Sequence, residues 1–337
     1  MPKNKVIKIA INGFGRIGRT TLKAGFDRPG VEFVAVNDIT DTKTLAHLLK
    51  HDSVYGGWDH EVSYDENNII IDGKKIKALK VKEPAELPWK NMEIDVVLEC
   101  TGKFTDEEGA GAHLKAGAKK VIISAPAKGG NIPTYVLGVN AEKYKGEKLI
   151  NNASCTTNCI APVTNVIHEN LGIEKAMMTT IHSYTADQKL VDAPHQDLRR
   201  ARHAAVSMIP TTTGAAISVT EVIPEIKGLF DGMSVRVPTA VGSLSDCVYV
   251  TKKKTTAKEV NEIFKKAAKE KKYQGILTVT DEELVSADFI RNPASAIVDL
   301  PMTKVIGGNL VKVIAWYDNE WGYSCRLIEL AEIVGKK

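Results

Sequence analysis

A cysteine near the middle of the chain has the sequence surroundings of a nucleophile. Cys155 lies between an apolar stretch that ends at Ile150 and the helical pattern of residues 160–171. Ser154 is predicted to be a helix N-cap, so that Cys155 becomes the first residue of the helix. Unpaired N–H groups and the positive end of the helix dipole favour a thiolate there, which predicts a lowered pKa for the Cys155 thiol. A small buried core residue fits this stretch equally well.

A second cysteine, Cys159, follows one helical turn later and is predicted to belong to the core. Two cysteines four residues apart also suggest a metal site. No His/Cys pair with zinc-like spacing completes such a site in the sequence, so no metal is predicted.

A thiol that attacks a carbonyl group needs a partner with a pKa near neutrality to accept its proton, and histidine is the usual choice. The chain has eight histidines. His182 is distinctive because it closes a predicted strand, residues 177–181, and hydroxyl-bearing residues follow it. It is therefore the predicted base for Cys155. Four other histidines lie in charged or helical surroundings and are expected to be surface or structural residues: His47, His51, His60 and His168.

The N-terminal region carries a glycine pattern that favours phosphate binding. An apolar predicted strand, residues 6–11, leads directly into Gly13, Gly15 and Gly18, which form a G-x-G-x-x-G motif. The first glycine allows a tight turn, the second allows the backbone to approach a pyrophosphate, and the third allows the helix to pack on the strand. The helix predicted from residue 16 onward offers its N-terminal N–H groups to the phosphates.

An acidic residue lies where this motif requires one. A second apolar strand is predicted for residues 31–36, and Asp38 follows it, twenty residues after Gly18. A carboxylate at this spacing accepts hydrogen bonds from an adenosine ribose. The first half of the chain is therefore predicted to be a Rossmann-type domain that binds a dinucleotide.

Small polar residues follow two further predicted strands, residues 94–98 and 121–123. Ligands of an open parallel sheet lie at the carboxyl ends of its strands. Thr101 and Ser124 are therefore expected on the floor of the cofactor cleft. Phe104 either flanks this cleft or packs in the core.

Two more elements complete the predicted first domain. Asp72-Gly73 predicts a type I′ hairpin turn between residues 69–71 and 76–79. A last strand is predicted for residues 135–139.

The second half contains two candidate anion sites. Residues 189–213 are long, polar and basic, and irregular segments of this length are usually functional. Thr213 and Gly214 close this segment at the predicted start of another helix, where an anion is favoured. Arg236 lies in an apolar predicted strand, residues 234–237. Such an arginine needs an anionic partner, and a protein carboxylate and a substrate phosphate fit the pattern equally well.

The remaining elements indicate a different architecture for the second half. Strands are predicted for residues 246–251 and 310–317, with a charged amphipathic helix at residues 257–271 between them. This alternation indicates a largely antiparallel sheet covered by helices, so an α/β dinucleotide-binding domain is expected beside an α+β domain. A C-terminal helix is predicted for residues 325–334, and its apolar stripe is expected to be buried in a groove of the protein.

Length and composition are ordinary for a globular protein. The 337 residues favour two domains, and the net charge of +4 gives no support for a primary nucleic-acid role. Five cysteines without framework spacing predict reduced thiols and a cytoplasmic location. Residues 1–5 are expected to lead directly into the first strand, with no signal segment and no stretch that spans a membrane.

These motifs together resemble the glyceraldehyde-3-phosphate dehydrogenase family along nearly the whole chain. The resemblance rests on segments in the family's order and at compatible spacing: residues 11–19 (INGFGRIGR), 153–158 (ASCTTN), His182 with Thr185 and 187–188, 197–202 (DLRRAR), 213–216 (TGAA), 236–239 (RVPT) and 317–324 (YDNEWGYS). It implies a homotetramer whose subunits have a Rossmann domain and a catalytic domain with a mixed, largely antiparallel sheet. The implied domains are residues 1–154, completed by the C-terminal helix 319–337, and residues 155–318.

The resemblance also implies a reaction of glycolysis and gluconeogenesis. Cys155 would be the nucleophile that adds to the aldehyde of glyceraldehyde 3-phosphate, and His182 would be its base. Hydride transfer to NAD would leave a thioester, which inorganic phosphate would cleave to 1,3-bisphosphoglycerate.

The same resemblance implies the binding residues. Thr185 and Arg236 would hold the substrate's own phosphate, and one arginine of residues 199–202 would assist. The attacking phosphate would contact Ser154, Thr156, Thr213 and Gly214. The cofactor would contact Gly13, Phe14, Gly15, Arg16, Ile17, Gly18, Asp38, Thr101 and Ser124. Asn319 would hold the nicotinamide carboxamide, and Tyr323 would pack near the ring.

Three positions depart from the family pattern. Ile217 replaces a common lysine, and residues 240–243 replace a proline-asparagine turn. Ala193-Pro194 lies where NAD-using members usually have leucine-proline and photosynthetic NADP-using members have alanine-serine. Because Asp38 disfavours a 2′-phosphate, NAD is the expected cofactor, with measurable use of NADP.

Three alternatives compete with this interpretation. Erythrose-4-phosphate dehydrogenase is a relative with the same cysteine and histidine, in which water cleaves the thioester. A dinucleotide-binding protein that mainly contacts RNA gains no support from the modest charge, and the sequence has no aromatic and basic array. A cysteine hydrolase is disfavoured by the dinucleotide motif.

Overall fold

The computed structural model describes residues 6–337, which divide into two compact units. The first unit contains residues 6–135, 143–153 and 324–337, and the second contains residues 136–142 and 154–323. The sequence-based division placed residues 136–142, 154 and 319–323 in the first domain instead. The prediction for residues 1–5 lies outside the described residues.

The first unit alternates strands and helices through most of its length. In chain order its elements are β1 (Ile7–Asn12), α1 (Arg16–Gly25), β2 (Val31–Asn37), α2 (Thr42–Lys50), β3 (His51–Asp52), β4 (Gly56–Gly57), β5 (Val62–Asp65), β6 (Asn68–Ile71), β7 (Lys74–Leu79), β8 (Val96–Glu99), α3 (Glu107–Lys115), β9 (Lys120–Ile123) and β10 (Leu149–Asn151).

Eight of these strands form one sheet in the order β10-β9-β8-β1-β2-β7-β6-β5. The neighbours from β10 to β7 are parallel, whereas β7, β6 and β5 form an antiparallel meander. Every residue of β8 is buried, as expected for a central parallel strand. The predicted Rossmann-type sheet is confirmed. The predicted type I′ turn is confirmed too, since Asp72 and Gly73 have φ values of 47° and 77°.

The strand predicted for residues 135–139 does not form, and β10 provides the edge of the sheet. Val136 starts a turn instead. Its N–H donates to Asn140 Oδ1 at 2.8 Å, and its carbonyl accepts from the N–H groups of residues 139–141. The apolar side chains that suggested a strand are buried within this turn, so burial without strand pairing produced the misleading pattern.

The first α-helix of the second unit carries the cysteine motif. Its elements are α4 (Cys155–Leu171), β11 (Ile173–Ser183), β12 (Ile209–Thr211), α5 (Ala215–Val222), β13 (Phe230–Val237), β14 (Ser243–Thr251), α6 (Ala257–Ala267), β15 (Leu277–Thr280), β16 (Ala296–Asp299), β17 (Lys304–Ile306) and β18 (Leu310–Tyr317). The last helix, α7 (Trp321–Lys336), starts in this unit and ends in the first. Short 3-10 helices occur at Pro84–Glu86, Ala141–Lys143, Pro224–Ile226, Lys271–Tyr273, Ser286–Phe289 and Leu300–Met302.

The sheet of the second unit has the order β12-β13-β11-β14-β18-β16-β15, with β17 also paired to β18. Only the pairs β11–β13 and β15–β16 are parallel, which confirms the predicted mixed, largely antiparallel sheet. Helices α4 and α5 pack on one face of it. Along β11 the opposite face carries Met177, which is 67% exposed.

Two predicted helices have different limits in the structure. α6 ends at Ala267, and the 3-10 turn Lys271–Tyr273 follows it. α7 begins four residues earlier than predicted, because Asp318 Oδ1 accepts hydrogen bonds from the N–H groups of Glu320 and Trp321. Among residues 6–337, no helix is both long enough and apolar enough to cross a membrane.

Candidate active site

Cys155 is the first residue of α4, as predicted. The hydroxyl of the N-cap residue Ser154 accepts a hydrogen bond from the Thr157 N–H at 3.1 Å. The thiol of Cys155 is half-buried, whereas Cys159 is fully buried, as predicted for a core residue. The start of α4 therefore leaves one thiol within reach of a ligand and directs the other into the core.

His182 lies beside this thiol, near the end of β11. Its Nε2 is 3.3 Å from Cys155 Sγ, and its side chain is almost fully buried. Its Nδ1 lies 2.7 Å from the carbonyl oxygen of Ser183. A carbonyl oxygen only accepts, so the hydrogen bond to Ser183 assigns the proton to Nδ1. The lone pair of Nε2 therefore faces the thiol and can accept its proton.

Arg236 joins this pair through strand register. β11 and β13 are parallel, and His182 lies opposite Arg236. Arg236 Nη1 donates to the Ser183 carbonyl at 3.2 Å and lies 3.0 Å from His182 Nδ1. Within the described part of the chain, no carboxylate forms an ion pair with this guanidinium. The sequence allowed either a protein carboxylate or a substrate phosphate as the partner of Arg236. The described residues provide no such carboxylate.

Burial controls the protonation of both reacting groups. Burial and the positive charge of Arg236 lower the pKa of His182 to about 3. Burial raises the pKa of the Cys155 thiol, while the charge of Arg236 and hydrogen bonds from Thr156 oppose this shift. The predicted lowering of the thiol pKa is therefore wrong, because loss of hydration outweighs the helix terminus. Direct transfer of the proton from Sγ to Nε2 keeps the pair neutral overall and avoids an isolated buried charge.

Tyr317 supports the site from β18, a role that the sequence did not reveal. Its hydroxyl lies 3.0 Å from Thr156 Oγ1 and 2.8 Å from Thr180 Oγ1. Its ring meets that of His182 edge to face, with 6.0 Å between centroids. The buried Tyr317 thus contacts both Thr156, one of the predicted phosphate ligands, and His182.

Other predicted phosphate ligands lie in the same unit. The Thr185 N–H donates to Gln188 Oε1 at 3.2 Å. Thr213 Oγ1 accepts from the Ala215 N–H, and Gly214 is the N-cap of α5. Thr213 also lines a cavity of about 780 Å³ between residues 197–199, the start of α5 and β13.

The three arginines of residues 199–202 differ in their partners. Arg200 forms an ion pair with Asp187, donates to Thr211 Oγ1 at 3.0 Å, and contributes its charge to the surroundings of Arg236. Arg202 pairs with Asp192, and Arg199 is exposed. Arg200 is thus the arginine of this group whose charge acts on Arg236.

The glycine motif lines a cavity of about 760 Å³ in the first unit. Gly13, Gly15, Asp38 and Thr101 contribute to its wall, together with Phe104. This volume is typical of a ligand site. A Cβ on Gly13, whose φ is 90°, would lie 2.6 Å from the Thr101 N–H nitrogen, so only glycine fits there.

Asp38 is fixed at the end of β2. Its Oδ2 accepts from the Phe14 N–H at 2.9 Å, and its Oδ1 accepts from the Thr40 N–H at 3.0 Å. The Phe14 side chain itself is buried in the core. A carboxylate in the wall of the cavity and the N-terminus of α1, where Gly15 provides no side-chain cap, fit the ribose and pyrophosphate of a dinucleotide.

Four other predicted cofactor residues lie in varied surroundings. Arg16 forms an ion pair with Asp52 at 2.9 Å, and Ile17 is half-buried in α1. Ser124 follows β9 and hydrogen-bonds the thiol of Cys100. Tyr323 is buried near the start of α7. Their contacts with a cofactor stay predictions.

A buried polar network near this cavity was missed from the sequence. Glu99, the last residue of β8, accepts hydrogen bonds from Asn12 Nδ2 at 2.5 Å, the Thr101 N–H at 2.7 Å and the Thr101 hydroxyl. His113 Nε2 lies 3.0 Å from the same carboxylate. Trp89 Nε1 donates to His113 Nδ1 at 2.9 Å. The sequence did contain a signal for this network, because Glu99 directly follows the apolar residues of β8.

A dinucleotide-binding sheet and a cysteine–histidine pair in one chain define an oxidoreductase class that combines a nicotinamide cofactor with a cysteine nucleophile. Comparison with known proteins identifies the family. Residues 7–107 match "Glyceraldehyde 3-phosphate dehydrogenase, NAD binding domain", and residues 154–319 match "Glyceraldehyde 3-phosphate dehydrogenase, C-terminal domain". The chain belongs to the glyceraldehyde 3-phosphate dehydrogenase family and is an NAD-binding oxidoreductase.

Similar proteins cover almost the whole chain. Glyceraldehyde-3-phosphate dehydrogenase 2 of Synechocystis is 53% identical over 98% of this chain and 98% of its own length. The enzyme of Geobacillus stearothermophilus is 53% identical over 98% of this chain and 99% of its length. A chloroplastic enzyme of Chlamydomonas reinhardtii is 51% identical over 99% of this chain and 90% of its length. These names do not favour the erythrose-4-phosphate alternative.

Proposed function

We propose that this protein oxidises glyceraldehyde 3-phosphate in the presence of inorganic phosphate and NAD to 1,3-bisphosphoglycerate, with Cys155 as nucleophile and His182 as base. The observation that carries the proposal is the 3.3 Å contact between Sγ and Nε2, beside an arginine without a carboxylate partner in residues 6–337. A thiol with a base supplies covalent catalysis, and the unpaired arginine supplies a site for the substrate phosphate.

Each step assigns a proton to a stated atom. Cys155 Sγ attacks the aldehyde carbon while its proton passes through His182 Nε2 to the aldehyde oxygen, which gives a hemithioacetal. His182 Nε2 then takes the hydroxyl proton as the carbon loses a hydride, and a thioester remains on Cys155. The bound dinucleotide supplies the hydride acceptor. Attack by inorganic phosphate on the thioester carbon releases Sγ, and the proton on Nε2 returns to the thiol.

Two anion sites serve this chemistry. Arg236 and Thr185 hold the phosphate of the substrate. Arg200 assists, because its charge acts on Arg236. The Arg200 side chain is itself fixed by Asp187 and Thr211. The attacking phosphate binds a set of hydroxyl and N–H groups near helix starts: Ser154, Thr156, Thr213 and Gly214.

NAD is the preferred cofactor, with measurable use of NADP. Asp38 supports this preference, because a fixed carboxylate in the cavity wall repels a 2′-phosphate. Ala193-Pro194 lacks the leucine that obstructs this group in strict NAD users. The preference is tested by measuring kcat/KM with NAD and with NADP. Equal values for the two cofactors, or a higher value for NADP, would contradict it.

The protein acts as a homotetramer in the cytoplasm. Met177 and Met233, on the uncovered face of the second sheet, are 67% and 40% exposed. Residues 190–217 add further exposed apolar side chains, including Leu198 at 81%. Apolar surface of this extent marks protein interfaces. Light scattering tests the assembly, and a monomeric mass would contradict it.

Five free cysteines support a reducing compartment.

The decisive experiment follows absorbance of the reduced nicotinamide with glyceraldehyde 3-phosphate, with and without phosphate. Turnover that needs phosphate and is lost in Cys155→Ser supports the proposal. Cys159→Ser is the matched control, because the Cys159 thiol is fully buried and contacts the Ala315 carbonyl. Turnover that proceeds equally without phosphate, or faster with erythrose 4-phosphate, would favour the hydrolytic alternative.

A further inference from the structure

The side-chain amide of Asn319 is held in one orientation by three donors. Its Oδ1 accepts from Ser183 Oγ at 3.0 Å, Ser243 Oγ at 2.9 Å and the Gly242 N–H at 3.2 Å. The Gly242 N–H can only donate, so the amide atom that faces it is the oxygen, and Nδ2 lies on the other side of the amide. The described residues give Nδ2 no hydrogen-bond acceptor, and its N–H groups can therefore donate to a ligand.

Ser183 is the residue that connects this amide with the base. Its hydroxyl donates to Asn319, while its carbonyl accepts from His182 Nδ1 and from Arg236 Nη1. Its N–H donates to Ser243 Oγ at 3.1 Å. Ser183 is fully buried and ends β11. One residue thus determines the orientation of the base through its backbone and that of Asn319 through its side chain.

We propose that Ser183 is a positioning residue that fixes the Asn319 amide to recognise the carboxamide oxygen of the nicotinamide ring, with Ser243 as its partner. This inference rests on the proposed function, because the resemblance assigns Asn319 to that carboxamide. The two roles of Ser183 are separable. Replacing Ser183 with alanine removes the hydroxyl but keeps the carbonyl that orients His182, so cofactor recognition should weaken while acid–base chemistry is retained.

The test is calorimetric titration of the full-length protein with NAD and with thionicotinamide adenine dinucleotide, in which sulfur replaces the carboxamide oxygen. Sulfur is a weak acceptor, so this analogue lacks the contact that Ser183 is proposed to support. Ser183→Ala should weaken NAD binding about five- to tenfold, as expected for one net hydrogen bond. The same substitution should weaken binding of the analogue less than about twofold.

Ser234→Ala is the matched control. Ser234 is a buried serine on the adjacent strand β13, and its hydroxyl has no partner within the described residues. It should leave the affinity for both dinucleotides unchanged. Ser243→Ala provides a second test, because it removes a different donor to the same oxygen and should show the same dependence on the cofactor.

Steady-state kinetics separate cofactor recognition from the base. With Ser183→Ala, KM for NAD should rise while the pH profile of kcat stays that of the unaltered protein. Equal weakening for both dinucleotides, or unchanged affinity for NAD in Ser183→Ala and Ser243→Ala alike, would overturn the inference. Absence of glyceraldehyde 3-phosphate turnover in the unaltered protein would defeat the proposed function, yet the titrations would still decide the role of Ser183.

Discussion

Two buried histidines, His113 in the first unit and His182 in the second, differ in what their ring nitrogens contact. His113 has a partner in the core on both sides, Trp89 at Nδ1 and Glu99 at Nε2, and all three side chains are almost fully buried. His182 contacts a backbone carbonyl at Nδ1, but its Nε2 faces a half-buried thiol. Burial alone therefore does not identify a catalytic base. The two histidines differ in whether the group beside Nε2 is partly exposed, as the Cys155 thiol is.

The charged groups beside the two rings show the same contrast. Glu99 accepts hydrogen bonds from Asn12, Thr101 and His113. Arg236, beside His182, has a buried Nε without a partner in the described residues. Buried polar groups are normally satisfied, so an unsatisfied one near a reactive thiol indicates a place for a ligand. The network around His113 has no unsatisfied carboxylate, whereas the group around His182 leaves Arg236 Nε available to a ligand.

Replacing the base should give the largest effect. His182→Asn removes the proton acceptor at 3.3 Å from Sγ, and kcat should fall about 10²- to 10⁴-fold because general base catalysis contributes this much. The measurement is steady-state turnover at saturating substrates, with near-ultraviolet circular dichroism to verify the fold. A decrease smaller than about tenfold would mean that another group accepts the proton.

The corresponding change at the other histidine should affect stability and not chemistry. His113→Asn removes the acceptor of Trp89 Nε1, at about 1–3 kcal/mol for the unsatisfied group, and one of the two partners of Glu99 Oε2, which keeps its hydrogen bond from Asn12. Denaturant unfolding should show a loss of about 3 kcal/mol, while kcat of the folded protein should match that of the unaltered protein. A large loss of kcat with unchanged stability would reverse the roles of the two histidines.

The sequence predicted features that depend on local pattern. The strand before Gly13, the I′ turn at Asp72 and the N-cap at Ser154 each follow from residues adjacent in the chain, and the structure contains all three. Cys155 and His182 emerged as a pair because a thiol at a predicted helix start requires a base. Their contact distance required the tertiary fold.

The features that were missed depend on contacts between different elements of the fold. Arg236 reaches His182 across 54 residues only because β11 and β13 are parallel in one alignment. Glu99 and His113 meet because the His113 side chain, on α3, reaches the carboxylate at the end of β8, and no periodic pattern encodes this contact. The thiol pKa was predicted in the wrong direction for the same reason, since the burial of Cys155 depends on the packing around it.

The unpaired arginine offers a test that separates binding from chemistry. Arg236→Ala should lower kcat/KM for glyceraldehyde 3-phosphate about 10²-fold, as expected for loss of a charge-assisted contact. Unphosphorylated glyceraldehyde lacks that contact, and any effect of Arg236 on His182 is common to both aldehydes. The ratio of the two kcat/KM values therefore measures the phosphate contact alone. Arg202→Ala, at an exposed arginine that pairs with Asp192, is the control, and an unchanged ratio in Arg236→Ala would place the substrate phosphate elsewhere.

A third histidine gives the smallest predicted effect, because its partners are exposed. His60 Nδ1 lies 2.6 Å from Asp72 Oδ2 and Nε2 lies 3.1 Å from Asp27 Oδ2. The hydrogen bond to Asp72 and the charge of Asp27 raise the pKa of His60, against an opposing effect of burial. A raised folded-state pKa means that the stabilisation is complete below the unfolded pKa of about 6.5 and is lost as pH rises through the folded value.

His60→Gln should therefore lower the thermal midpoint by only a degree or two at about pH 5.5, since exposed ion pairs contribute little, and by less at about pH 9. Thermal unfolding of both proteins across this range measures the difference. His51→Gln is the control, because His51 is exposed and forms no ion pair within residues 6–337. A difference that stays constant with pH would assign the role of His60 to ring packing against Phe26 and Trp58, whose rings lie 5.1 and 4.4 Å from it, and not to its charge.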